Sequence, residues 1–360
     1  MSTTPKGSWQ QPGVEPLLEP LSQRFKRFAK QECRNSSPLY ERLSAGIAGD
    51  PEILSLAAHA PTGQPAPNLL LGAVHFLLLQ GTQHPLSAFY PSLSEASHLA
   101  GDPYPLFRSF CLEQSNKIRK LISSRLVQTN EVQRCACLLP AFSLVARQAQ
   151  GRPLSLVEIG ASAGLNLLWD RYGYDYGEGR QYGDVDSPVH IVCTLRGGRR
   201  PPIPADFPKV AFRVGVDLDP IDVRDPEMTL WLRALVWPEH KKRASLLDRA
   251  IQVAQHDPPT LIAGDALGLL SNIVETVPRD TALYIFHTHT VNQFSPEARE
   301  GLSSLIADQG RSRDLVLVSI EWLGGEHPLL GLVSFKNGVR TEMGLAWCDA
   351  HGEWLDWQHA

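Results

Sequence analysis

Neither sign of charge is in excess in this 360-residue sequence: 34 Lys and Arg stand against 38 Asp and Glu, a formal net charge of -4. That balance excludes a global attraction to nucleic acid or to an anionic membrane surface, so neither is expected as a partner. The short basic runs, Arg196 to Arg200 and Lys241 to Arg243, read accordingly as solvated turns or helix ends. Paired metal-ligand spacing is missing as well. The six cysteines, Cys33, Cys111, Cys135, Cys137, Cys193 and Cys348, are scattered, which fits reduced, buried thiols and no metal. No long apolar run is present: the longest, Leu69 to Leu79, is interrupted by Gly72 and His75. It falls short of the roughly 20 residues that cross a bilayer, so a buried helix is expected there. The start, Met1 to Pro20, is rich in Pro, Ser, Thr and Gln and lacks the basic, apolar and small-residue parts of a secretory signal. A disordered lead-in over residues 1–20 and a cytoplasmic location are the resulting expectations.

What is present is ordinary globular composition, 43% hydrophobic and 20% charged, in a chain longer than one core usually serves. From Leu21 to Gln150, helical patterns separated by Pro and Gly predict an all-helical N-terminal subdomain, placed as a lid. A single helix is expected from Phe107 to Leu126, where Phe107, Phe110, Cys111, Ile118, Leu121 and Ile122 follow one face.

After Gly151-Arg152-Pro153 short apolar runs alternate with helical stretches, the pattern of a parallel sheet with crossover helices over residues 151–360. The predicted strands are Leu154 to Ile159, Val210 to Val216, Thr260 to Ala263, Ala282 to Phe286 and Asp314 to Ile320. Helices are predicted at Leu165 to Arg171, Thr229 to Gln255, Ala266 to Glu275 and Pro296 to Gln309. An insertion, Tyr172 to Lys209, is too long for a simple connection, and its Val189 to Thr194 is read as part of a hairpin. Asn337-Gly338 between apolar runs predicts a closing antiparallel meander. Five parallel strands with an antiparallel addition resemble the Rossmann-like, doubly wound sheet of class I methyltransferases.

Glu158-Ile159-Gly160-Ala161-Ser162-Ala163-Gly164 ends the first strand and leads into Leu165-Asn166-Leu167-Leu168. A turn there needs glycine where φ is positive and where backbone meets a ligand closely, and Gly160 and Gly164 suit those roles. A dinucleotide fingerprint would require glycine where Ser162 and Leu165 stand, and Glu158 opposes a pyrophosphate. An acid followed by alternate glycines is instead the methyltransferase pattern, with Ser162 in the middle position and Asn166 beside it. A carboxylate suits the sulfonium and ammonium groups of S-adenosylmethionine. A glycine turn needed only for packing is the plainer alternative.

The second strand ends in Asp217, which as a carboxylate can accept both ribose hydroxyls. Asp219 is its alternative, and either residue can instead cap the next helix. Asp217 lies much farther from Gly160 than the about 20 residues of a plain dinucleotide unit, so this assignment treats the insertion as an excursion. Asp265, in Gly264-Asp265-Ala266, is the candidate for the adenine amino group or, more simply, a helix N-cap.

Glu158 to Asn166 with Asp170-Arg171-Tyr172, Gly215-Val216-Asp217 and the Trp231 to Glu239 segment resemble a bacterial domain-of-unknown-function family, number 2332. Gln128 to Val132 and Arg134 extend the likeness to nearly the whole chain. The family is regarded as methyltransferase-like by fold, and the resemblance implies no particular reaction.

Ligands of such sheets sit beyond the carboxyl ends of the strands, so Phe286 to Phe294 is expected to face the transferred group. Its His287 and His289 are candidate general bases or structural histidines, with Glu321 and Trp322 expected nearby. Asn130, Glu131 and Arg134 are candidate substrate contacts from the helical part, or an interdomain salt-bridge network. The expected function is S-adenosylmethionine-dependent methylation of a small molecule. A methyltransferase-like binding or regulatory protein without catalysis is the second reading. Gly160-Ala161-Ser162-Ala163-Gly164 also spells Gly-x-Ser-x-Gly, so a third is a hydrolase with Ser162 as nucleophile, Asp265 as acid and His287, His289 or His327 as base. No oligomeric state is set by these patterns.

Overall fold

A computed structural model describes residues 15–94, 101–149, 151–204 and 206–359. The lead-in expected over residues 1–20 falls mostly outside the described residues, but its end does not: helix α1 (Glu15–Arg27) begins at Glu15 and contains Pro20. The chain divides into two compact units, one of Met1–Thr129 with Leu230–Lys241, the other of Asn130–Thr229 with Lys242–Ala360.

The first unit is helical. After α1 come α2 (Pro38–Ile47), α3 (Pro51–Ala57), α4 (Ala66–Leu79), α5 (Tyr104–Glu113) and α6 (Ser115–Ser124). Asp50 caps α3, its carboxylate accepting from the amides of Glu52 and Ile53. The apolar run forms α4 as expected and is buried nearly all round. His75 is tolerated inside it because both ring nitrogens are satisfied, Nδ1 by Ala234 O at 2.9 Å and Nε2 by Ser92 Oγ at 2.8 Å. Burial pulls its pKa down to about 4, so it sits there neutral. The single helix expected from Phe107 to Leu126 is two, because Gln114 leaves the helical region at φ -101° and ψ 15°. The continuous apolar stripe is thus shared between successive helices. The returning segment explains the quoted tryptophans: Trp231 Nε1 donates to Leu126 O at 2.9 Å, and Glu239 accepts from Ser37 Oγ and Leu39 N.

The second unit is mixed α/β, with a large, mostly parallel sheet. It opens with α7 (Cys135–Ala146), followed by β1 (Leu154–Ile159) and a 3-10 segment, Leu165–Arg171, where an α-helix is expected. The insertion supplies β2 (Gly173–Asp175), β3 (Gln181–Gly183), β4 (His190–Val192) and β5 (Thr194–Arg196). Then come β6 (Val210–Asp217), α8 (Pro226–Leu235), whose residues from Leu230 on belong to the first unit, α9 (Lys241–His256), β7 (Thr260–Ala263), α10 (Ala266–Thr276), β8 (Ala282–Thr288), α11 (Pro296–Ser312), β9 (Leu315–Glu321), β10 (Leu329–Lys336), β11 (Val339–Cys348) and β12 (Trp354–Trp357). The helix expected from Thr229 to Gln255 breaks into α8 and α9 around Pro238, which restricts the residue before it and lacks a donor.

The nine strands run in the order β5-β12-β11-β10-β9-β8-β1-β6-β7, and β3-β2-β4 form a separate small sheet. Strands β9, β8, β1, β6 and β7 are mutually parallel, while β9 to β12 form the antiparallel meander that Asn337-Gly338 predicts. Val189 to Thr194 forms no hairpin of its own; β4 pairs in parallel with β2, and β5 in parallel with β12. Chain order reverses between β1 and β8, which places a crevice at their carboxyl ends.

Alternation divides the sheet into two faces. Val157, Ile159, Leu283 and Ile285 pack with Leu270, Ile273, Leu302 and Ile306 of α10 and α11. On the other face Phe142 of α7 meets Trp169, Phe286 and Tyr284 at ring separations of 5.1, 5.3 and 6.2 Å. Each such pair adds about 0.5–1.5 kcal/mol beyond burial. That packing puts α7 with the sheet, so the helical part ends at Thr129 and not at Gln150.

Candidate functional site

The turn after β1 is built on three left-handed residues, Gly160 (φ 72°), Ser162 (φ 51°) and Gly164 (φ 70°). A side chain at Gly160 would collide with Thr290, whose Oγ1 lies 2.4 Å from the Cβ position. At Gly164 the obstacle is Pro259 Cγ, at 2.6 Å. Four of the turn's backbone donors are consumed internally. Gly160 N and Ala161 N reach Val216 O, Gly164 N reaches Ala161 O, and Ser162 N reaches Asp217 Oδ2 at 2.8 Å. Asn130 Oδ1 accepts from Leu165 N at 3.0 Å and so caps the 3-10 segment.

Asp217 orders two loops, since its other oxygen accepts from Asp219 N at 3.0 Å. It is half-buried, whereas Asp219 is exposed. Register brings the third acid near: Asp217 pairs with Ala263, and Gly264 N donates to Asp217 O at 2.8 Å. Asp265 then caps α10 through Leu267 N at 3.0 Å and keeps an exposed carboxylate. Leu218, between the aspartates at the end of β6, is 72% exposed.

Behind the turn lies a buried polar cluster. Glu158 is 1% exposed; its Oε1 receives Asn166 Nδ2 at 3.4 Å, while Oε2 has no partner. Burial pushes its carboxyl well above the ordinary range, Asn166 opposes that, and Asp217 adds to it. Cys135 Sγ donates to Asn166 Oδ1 at 3.3 Å. Arg134 is buried, with Nε on Ala350 O at 2.9 Å and Nη1 3.5 Å from Thr288 Oγ1. Glu131 takes Arg243 at 2.7 Å through Nε and 2.5 Å through Nη2. Arg243 therefore belongs to this cluster and is not a solvated helix end. The expected substrate trio Asn130, Glu131 and Arg134 sits in the α/β unit, within one network with the β1 turn.

The predicted histidines separate. Strand β8 runs to Thr288, so His287 lies in the sheet and not in the loop, and alternation puts it on the face of Leu283 and Ile285, opposite Glu158. Its Nδ1 is 2.7 Å from Glu321 Oε1. Glu321 also accepts from the amides of Thr290 and Val291 through Oε1 and of Asn292 through Oε2. Burial raises the Glu321 carboxyl, but the His287 hydrogen bond and charge and the two amides on Oε1 outweigh it, leaving the pKa below the ordinary value. His289, left-handed at φ 53°, has a buried Nε2 without a partner. Burial and then Arg134 pull it down to about 4 against the opposing pull of Glu321 and Asp349. Ser162 Oγ is likewise buried without a hydrogen-bond partner, so no Ser-His pair is formed.

Thr290, Cys135 and Arg243 were not singled out by sequence reasoning. Thr290 announces itself only through the space denied at Gly160, while Arg243 was legible as a cation with a buried acid, Glu131, to satisfy. Among the described residues no group of His, Cys, Asp and Glu is arranged to hold a metal ion, and no helix is long and apolar enough to cross a membrane.

These features describe a mixed α/β protein whose buried polar residues gather at the carboxyl ends of its parallel strands. The chain belongs to the family described as an uncharacterized protein conserved in bacteria (DUF2332), whose profile matches residues 22–357. No curated protein and no solved structure matches it. The quoted Asp170-Arg171-Tyr172 has a structural reason: Asp170 takes Arg213 in a two-pronged pair at 2.7 and 2.9 Å, and Tyr172 Oη donates to Leu165 O at 2.7 Å.

Proposed function

We propose that the carboxyl-end crevice binds S-adenosylmethionine, in a Rossmann-like sheet of class I methyltransferase type, and serves methylation of a small molecule. The observation that carries this reading is the turn after β1, where the amides of Gly160, Ala161, Ser162 and Gly164 are already spent on Val216, Asp217 and Ala161 and the following segment is capped by Asn130. A pyrophosphate needs such amides unpaired and pointing at it. The surroundings are acidic instead, with Asp217, Asp219, Asp265 and Glu158 at the ends of three adjacent strands. That donor set fits a cationic nucleoside and not a dinucleotide.

In this reading Asp217 takes the ribose hydroxyls, with Asp219 as its alternative. Asp265 takes the adenine amino group, and the exposed Leu218 offers an apolar platform to the base. Gly160 and Gly164 keep the backbone close, with Ser162 and Asn166 beside it. The unpartnered Glu158 oxygen is the place for an ammonium group. The cofactor, when bound, supplies an electrophilic methyl group.

On the acceptor side, the uncharged His289 can accept a hydrogen bond through Nε2, and Arg134 can fix an anionic group of the substrate within the Asn130 and Glu131 network. Binding without transfer is the second reading, favoured by the commitment of His287 to Glu321 on the opposite face. Calorimetry with S-adenosylmethionine, S-adenosylhomocysteine and NAD tests the cofactor. Both sulfur nucleosides are expected to bind and NAD is not; NAD binding alone overturns the assignment.

A further inference from the structure

On the sheet face away from Glu158 a pocket of about 140 Å³ opens between α11 and strands β8 to β10. Leu302, Ile306, Leu317 and Val333 give it apolar walls, and none of its lining residues is acidic. His287, 4% exposed, lines it too. The His287 ring is fixed by the bond between Nδ1 and Glu321, so Nε2 is the nitrogen left for the pocket. Two exposed arginines complete the lining. Arg299 holds Val291 O and Asn292 O, and Arg340 pairs with Glu342. A guanidinium carries five donors, so each keeps some for a ligand.

We propose that this pocket binds a small monocarboxylate whose apolar body is about the size of a benzene ring. The volume sets the body, since a dry cavity of about 150 Å³ lined by Leu, Ile and Phe holds benzene. The charge sets the head group: the lining holds two arginines and no carboxylate, and a carboxylate matches the guanidinium fork. This site is separate from the crevice proposed for the cofactor, being on the other face of β8.

Benzoate titrated into the full chain is the probe, followed through the histidine ring resonances and by calorimetry. A saturable shift of the His287 ring signals is expected. Arg340→Ala should weaken benzoate about fivefold or more, and benzyl alcohol should bind about tenfold more weakly than benzoate. Ser303→Trp, an exposed position of α11 on the pocket, should abolish binding in a protein that keeps its thermal transition. Asp217→Ala should leave benzoate affinity unchanged, whatever it does to the nucleoside. Absence of a saturable His287 shift, equal binding of benzyl alcohol, or full affinity in Ser303→Trp would overturn the proposal.

Discussion

Two buried glutamates crown the sheet, one on each face, and their surroundings shift their carboxyls in opposite directions. Glu158 at the end of β1 has one long hydrogen bond and an unpartnered oxygen, and its carboxyl is pushed well above the ordinary range by burial. Glu321 at the end of β9 meets an imidazole and three backbone amides, and its carboxyl is held below that range. Burial is common to both; the supply of donors decides. A saturated carboxylate is a structural post that holds the 290–292 loop. A starved one is, in the proposed reading, the place for the ligand's ammonium group.

Removing each acid should break or sharpen this contrast most strongly. Glu321→Ala strands His287 and three amides and should cost about 3–5 kcal/mol in denaturant unfolding, the range for breaking a buried pair. Glu158→Gln keeps the shape of a carboxyl whose charged form burial disfavours and should cost less than about 1 kcal/mol. Equal losses would refute the division.

Acidity separates the same region a second way. An imidazole whose folded pKa is lowered to about 4, as at His289, contributes stability above its ordinary value of 6.5 that is lost as pH falls toward 4. The unfolded chain takes up the proton first, so the full loss approaches about 3 kcal/mol. His289→Asn should flatten the wild-type stability curve in that window. Glu158 acts with the opposite sign: its raised pKa gives stability below the ordinary 4.5 that is lost as pH rises through the folded value. Relative to wild type, Glu158→Gln should therefore gain stability as pH rises; a flat difference would mean Glu158 is ionised in the folded protein.

A separate effect concerns the turn itself. Gly160→Ala adds a methyl group at positive φ against Thr290 and should destabilise by about 2–3 kcal/mol. Thr290→Ala in the same chain should recover the steric part and leave the backbone part. No recovery would mean that φ alone makes the position need glycine.

Local pattern carried much of this arrangement. Leu154 to Ile159 is apolar but for Ser155 and Glu158, and Asn337-Gly338 marks its hairpin, so the strands and the closing meander were legible. Long-range balance was not. Whether Asp217 serves a ligand or a loop depends on Ser162 N, 55 positions away, and no spacing rule reports that. The i, i+2 pattern of His287 and His289 suggested a shared site. Because β8 continues to Thr288, His287 turns to the α11 face, while His289 falls in the left-handed region at the strand's end. The helix break at Gln114 was blurred because an apolar stripe continues across it, whereas the break at Pro238 follows from the proline itself.

The most direct measurement is the dissociation constant for S-adenosylmethionine in the wild-type chain and in Asp217→Ala, both checked for a native thermal transition. The wild type is expected to bind at micromolar concentration, and the variant to lose about tenfold or more. Equal affinities would remove Asp217 from the ribose role, and no binding in either chain would contradict the account of the crevice.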